Sequence, residues 1–297
     1  MKNKNKAIIL IIISALSFAA MSTFVKLAGN NIPSVEKSFF RNLVSCAVAF
    51  YLIRKSGDRL FGKSENRKYL ILRALFGTLG IIANYYAIDR LILSDANMLN
   101  NLSPFFVVIF SFLFLKEKIT KKQVIILCVA FFGSLFIIRP TFSLTVIPSL
   151  VGVSSALCAG AAYTFVRYLG GRENGPTIVF FFSFFSIVAT APFVIADFKP
   201  FTPIELFYLL MAGVVASVAQ FALTAAYKYA PAKEISIYNY SQIIFTALIG
   251  FLLFNQIPDV WSIIGYIIVL GASFYMFLYN KKLDQNIEEK NKIQELK

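Results

Sequence analysis

Stretches of about 20 residues with almost no charge follow one another along nearly the whole chain, and they constrain it more than any other feature. At 1.5 Å per residue, about 20 apolar residues in a helix cross the hydrocarbon core of a bilayer. Backbone N–H and C=O groups in lipid must be satisfied within a helix or a closed barrel, and segments of this length call for helices. The pattern predicts an all-α membrane protein with ten transmembrane helices, at 7–28, 34–53, 69–88, 93–115, 121–138, 147–168, 176–196, 204–227, 232–254 and 259–279. Hydrophobic residues make up 58% of the 297 and charged residues 15%, which leaves loops and two tails but no separate soluble domain. The basic start, Met1 to Lys6, imitates a signal peptide. The apolar stretch behind it, from Ala7 to Ala28, is longer than a signal peptide's apolar region and reads as the first span.

A net charge of +14 would suggest nucleic acid in a soluble chain. Here the charge sits in loops and tails, without the aromatic–basic interleaving that grips single strands. With the amino terminus inside, five cations fall outside, Lys26, Lys37, Arg90, Arg139 and Lys199. Arg41 and Arg73 lie within spans, and all the other lysines and arginines are inside. This asymmetry predicts both termini in the cytoplasm of a bacterial inner membrane. Cys46, Cys128 and Cys158 lie in spans and read as small buried apolar side chains, not as a disulfide or metal framework. The chain has no His, so the commonest metal ligand and proton shuttle is missing.

Shifting the sequence by 139 residues aligns its halves without a gap over a long stretch: Ala87 meets Ala226, Asp95 meets Glu234, Asn100 meets Asn239, Phe112 meets Phe251 and Leu113 meets Leu252. Five spans per half is an odd number, so the second half enters the membrane inverted. Inverted repeats with a site near the midplane recur in secondary carriers. The expected units are 1–140, 141–280 and a cytoplasmic tail, 281–297, read as a short solvated tail or surface helix.

The stretch AIDRLILSDANMLNNLSPFFVVIFSFLFLKEKIT and its second copy, AAYKYAPAKEISIYNYSQIIFTALIGFLLFNQIPD, resemble the unit of EamA-type carriers in the drug/metabolite transporter (DMT) superfamily. The second copy departs at Gln256, where a carboxylate often sits; Glu117 fills the matching position. EKSFFRNLV followed by ILRALFG is similar, more weakly, to the S-adenosylmethionine uptake carriers of that superfamily. The resemblance implies two five-helix units, alternating access and no tightly held cofactor.

Polar groups inside a span are costly unless they face protein or water. Asn97, Asn100, Asn101 and Pro104 share one face of the fourth span. Ser236, Asn239, Tyr240 and Ile243 match them in the ninth. Two such stripes line a central cavity or act as interhelical glue, and Pro104 bends its helix. Arg41, roughly 10 Å into its span, seeks an anionic partner: a substrate group, or a protein carboxylate such as Glu36 or Asp95. Lys37 lies one turn from it. Lys26 and Arg73 read as snorkelling cations, although Lys26 also stands with Glu36, Asp95, Glu234 and Pro104 as a gating or coupling candidate. Glu36 and Glu234 are taken as the only carboxylates near the membrane interior besides Asp95. Asn84, Tyr163, Gln220 and Gln242 add amides and a phenol suited to a mostly apolar site with a few directing groups. Tyr85, Tyr86, Tyr227 and Tyr238 are weaker candidates of the same kind. The run FFFSFFSIV reads as lipid-facing or packing surface.

No Ser-His-Asp set, carboxylate–histidine pair or P-loop is visible, so neither an enzyme nor an ATP-driven pump is expected. The expected function is secondary transport of a small organic metabolite, whether amino acid, nucleoside-like or carboxylate-bearing. The alternative is a lipid-linked sugar flippase or accessory subunit. The expected partners are a small-molecule substrate and membrane lipids, with no nucleic acid, in a monomer or homodimer.

Overall fold

The computed structural model describes residues 2–115, 119–138, 146–229 and 236–295. Among them the chain is helical, with no β-strand beyond one isolated bridge between Gly170 and Glu173. The helices are α1 (Lys2–Leu27), α2 (Ser34–Ser56), α3 (Arg67–Arg90), α4 (Leu93–Asn100), α5 (Ser103–Leu115), α6 (Lys121–Ile138), α7 (Ile147–Leu169), α8 (Gly175–Ala196), α9 (Pro203–Tyr229), α10 (Ser241–Phe254) and α11 (Val260–Glu295). Single 3-10 turns lie at Ser64–Asn66 and Ser236–Tyr240.

Eight helical segments among the described residues are long and apolar enough to cross a membrane, and Tyr238–Phe254 is a shorter apolar one. The expected count of ten is not reached by that measure, for a reason in α2. It has 23 residues, but Glu36, Lys37, Arg41, Arg54 and Lys55 put charge into every span-length stretch of it. The fourth expected span is two helices, α4 and α5, with a break at Asn101 and Leu102. Pro104 is the cause: it has no N–H to bond back one turn, so it starts a new helix as the second residue of α5 instead of bending a continuous one. The ninth expected span is likewise a 3-10 turn followed by α10, and 230–235 lie outside the described residues. The last helix continues past 279 to Glu295, so the expected tail prolongs α11.

The helices pair in a pattern that the 139-residue offset reproduces. α1 packs on α9, and α7 on α3; α5 packs on α7, and α10 on α1. Under the offset each contact maps onto the other member of its set. α2 on α8 and α6 on α11 map onto themselves. Close approach between helices, here and where α2 meets α9, depends on glycine. A Cβ on Gly160 of α7 would stand 2.4 Å from Phe106 Cβ, and one on Gly213 of α9 would stand 2.7 Å from Val44 Cβ. At the α6–α11 crossing, Cβ atoms on Gly133 and Gly265 would reach Ile268 and Ile137 at 2.6 Å. Such small residues let backbones approach where lipid supplies no hydrophobic drive between helices. The outward faces carry exposed apolar side chains, among them Ile125, Phe193, Ile195, Ile244 and Ile267. Cys128 belongs to this outward surface and is exposed, not buried as expected; Cys46 and Cys158 are half-buried.

Candidate functional site

Two polar assemblies occupy the apolar bundle. The first joins the two expected stripes. Asn97 is buried on α4; its Oδ1 accepts from Gln242 Nε2 (2.7 Å) and Ser22 Oγ (3.1 Å), and its Nδ2 donates to Leu93 O (2.8 Å). Asn101 sits in the α4–α5 break, half-buried, and donates to Asn97 O at 2.8 Å. Its own carbonyl accepts from Tyr240 OH at 3.3 Å, and that phenol accepts from Ser273 Oγ at 2.7 Å. Asn101 and Tyr240 are 139 residues apart, so Tyr240 touches its own repeat mate. The helix break at Pro104 is what makes the Asn101 carbonyl available to a side chain. Asn100, half-buried, donates to Ser155 Oγ on α7 at 2.9 Å. Asn239 is half-buried beside Tyr240 and has a polar partner of its own, as does half-buried Gln220 on α9. Glu234 and the Ser236 side chain lie outside the described residues. Gln256, the departure from the family pattern, accepts the Leu93 N–H at 3.1 Å and so caps the start of α4.

The second assembly is charged, and here several expectations fail. Neither proposed carboxylate pairs with Arg41. Asp95 accepts a 2.5 Å bond from Tyr266 OH, and Glu36 accepts the Lys199 N–H at 3.3 Å with its other oxygen buried and unpartnered. Arg41 donates to Asn42 Oδ1 at 2.8 Å, and its Nε has no partner. The reason is direction. Arg41 points across the bundle, with its guanidinium 5.8 Å from the Phe182 ring centroid on α8, whereas Glu36 faces the α8–α9 connection. Arg73 does not snorkel. It is 4% exposed, and its guanidinium lies 4.2 Å from the same ring. It is held inward by the shape of α3, because Gly77 one turn on has no Cβ; one placed there would stand 2.0 Å from Arg73 Nη1. Phe182 is buried, so that member of the Phe-rich run faces the bundle and not lipid. Half-buried Tyr163 of α7 interacts electrostatically with both guanidiniums. Asn84, further along α3, is buried with its Oδ1 unpartnered, as are Thr78 Oγ1 and Ser183 Oγ.

Lys26 does not reach for headgroups either. It turns inward to Ile88 O (3.1 Å) and Leu91 O (2.5 Å), capping the carbonyl end of α3, where the helix dipole favours a cation. Lys37 is fully buried and pairs with Asp89 at 2.5 Å while donating to Val25 O at 3.2 Å. Asp89 is therefore an interior carboxylate overlooked by the sequence reading. Its neighbour Arg90 made it look like part of a loop, although α3 runs through both. Asp89 also borders a crevice of about 620 Å³ between α2, α3 and α7, walled by Pro33, Leu79, Tyr86 and Cys158. Exposed Leu79 is part of its wall, and neither Arg41, Arg73, Asn97, Asn101 nor Tyr240 lines it.

Eight helical segments long and apolar enough to cross a membrane, packed around buried amides and charges, fit a multi-pass membrane protein. The EamA-like transporter family model matches residues 5–139 and again 147–278, and the chain belongs to that family. It is 32% identical over 267 residues to the pseudopaline exporter CntI of Pseudomonas aeruginosa, covering 89% of this chain and 93% of that one. An uncharacterized transporter of Helicobacter pylori is 25% identical, covering 91% and 93%. Mouse solute carrier family 35 member G1 is 26% identical, covering 91% and 79%. A crystal structure 14% identical in sequence matches the fold with a TM-score of 0.66, over 94% of this chain and 99% of that one.

Proposed function

We propose that this transporter is a secondary carrier that moves a small organic metabolite across a bacterial inner membrane by alternating access. The observation that carries the reading is the buried polar layer where matched segments meet, Asn97 with Gln242 and Asn101 with Tyr240. Polar contacts across a helix interface can exchange between two arrangements at little net cost, since each group finds another partner nearby. In this reading the eight apolar segments, the charged α2 and the broken ninth segment make ten spans. They form two five-helix units of opposite orientation, with both termini in the cytoplasm. Asn97, Asn100, Asn101, Asn239, Tyr240 and Gln242 border the path on one side, and Arg41, Asn84, Tyr163 and Gln220 on the other. Lys26, Glu36, Asp95, Glu234 and Pro104 serve gating or coupling. The name of the Pseudomonas relative, an exporter, favours outward transport.

The test is transport by the purified chain in liposomes, with solutes first selected because they raise its apparent unfolding temperature. Saturable movement of a stabilising solute is the expected result. Scrambling of labelled lipid with no solute movement would sink the carrier reading in favour of a flippase.

A further inference from the structure

Two guanidiniums share the middle of the bundle. Arg41 enters from one end, roughly 10 Å along α2, and Arg73 from the other, roughly 9 Å along α3, which runs the opposite way. Both reach the Phe182 ring, at 5.8 and 4.2 Å. Each residue is 4% exposed. Among the described residues no carboxylate lies within ion-pair distance of either, both Nε atoms are buried without a partner, and Arg73 donates no hydrogen bond. Removing one such cation from water is expensive, and two close together also repel. A single aromatic face and one amide oxygen are a weak counterweight, because cation–π attraction is a minor contribution beside the loss of hydration. In contrast, Lys37, equally buried, has its aspartate. The bundle also makes deliberate room for the unbalanced charge, since Gly77 leaves the space that Arg73 fills.

We propose that Arg41 and Arg73, braced on Phe182, form the subsite that holds a carboxylate group of the transported solute. The inference rests on the carrier reading and narrows its substrate to carboxylate-bearing metabolites. A guanidinium fork matches a carboxylate with two parallel N–H···O bonds, and a planar anion between two forks satisfies donors that the protein leaves open. Tyr163 of α7 interacts electrostatically with both guanidiniums.

The full chain in lipid nanodiscs is heated with small metabolites at fixed ionic strength. Glutamate, succinate and citrate serve as carboxylates, glutamine and succinamide as neutral counterparts, and putrescine as a cation. At least one carboxylate raises the unfolding temperature while the neutral and cationic compounds do not. Arg41→Gln and Arg73→Gln each raise the half-saturating concentration at least tenfold. Without ligand both variants unfold at the parent's temperature or above it, because an unbalanced buried charge is gone; a packing role moves this readout the other way. Should Arg73→Gln not fold, Arg73→Lys, which keeps the charge and loses the fork, and Gly77→Ala, which pushes the fork aside, take its place with the same tenfold expectation. The proposal is overturned if no carboxylate stabilises the parent, if the variants keep the parent's response, or if they unfold earlier without ligand. Proteoliposomes with the labelled carboxylate separate the two levels. Binding without movement refutes the carrier, whereas movement unchanged in the variants refutes only the subsite.

Discussion

Asp89→Asn isolates the effect of a buried charge. In the native chain Lys37 and Asp89 are almost wholly buried, with side chains 0% and 2% exposed and 2.5 Å between nitrogen and oxygen. Asn keeps the volume of Asp89 but removes its charge, so the Lys37 ammonium is left with two neutral acceptors, the Val25 carbonyl at 3.2 Å and the new amide oxygen. Breaking a buried pair from one side costs about 3–5 kcal/mol. At about 2–4 °C per kcal/mol for a chain of this order of size, the apparent unfolding temperature should fall by roughly 6–20 °C. Lys37→Met strips the pair from the other side and should fall comparably. The double variant Lys37→Met with Asp89→Leu removes both charges and fills the space with apolar atoms, and should recover most of the loss. The assay is the fraction of monodisperse protein left after heating in detergent, at one fixed heating time because unfolding there is irreversible. Single variants within about 2 °C of the parent, or a double variant no better than the worse single, would refute the claim that this pair is a desolvated electrostatic unit.

Asn97→Ala removes an acceptor shared by buried Ser22, which keeps the Phe18 carbonyl, and half-buried Gln242; at about 1–3 kcal/mol and about 2–4 °C per kcal/mol the same heating assay should show a fall of roughly 2–12 °C, smaller when Gln242→Leu accompanies it. Gly265→Ala places a methyl 2.6 Å from Ile137 Cγ1 and 2.9 Å from the Gly133 carbonyl, so α6 and α11 must separate and stability should drop by about 1–3 kcal/mol. Single-cysteine variants treated with a lipid-soluble maleimide in detergent should label at Cys128 several times faster than at Cys46 or Cys158, since Cys128 alone of the three is exposed; equal rates would contradict the outward placement of that face of α6.

Much of the architecture was legible because lipid allows few solutions. Long apolar runs must be helices, and the 139-residue offset revealed two matched halves; which helices pair, and that Asn101 meets Tyr240, came only from the tertiary structure. The polar stripe on the fourth span was legible too, since Asn at a spacing of three and four residues has to face protein. Where a long side chain points was not legible. Lys26, Arg73 and Arg41 each sit on an apolar helix, and composition alone cannot separate a cation that reaches for headgroups from one that turns inward. That choice depends on what the neighbouring helices offer. For Lys26 it is the open carbonyls ending α3. For Arg73 it is the space above Gly77 and the face of Phe182. Asp89 looked like part of a loop beside Arg90, and nothing local in the sequence pointed to its partner, 52 residues away on another helix. The sequence by itself determined a helical membrane chain with two matched halves, since burial of backbone polar groups in lipid is a local requirement. Only the tertiary structure decided which charges are paired and which two remain unbalanced at the centre, because pairing is a matter of distance between helices that the sequence does not record.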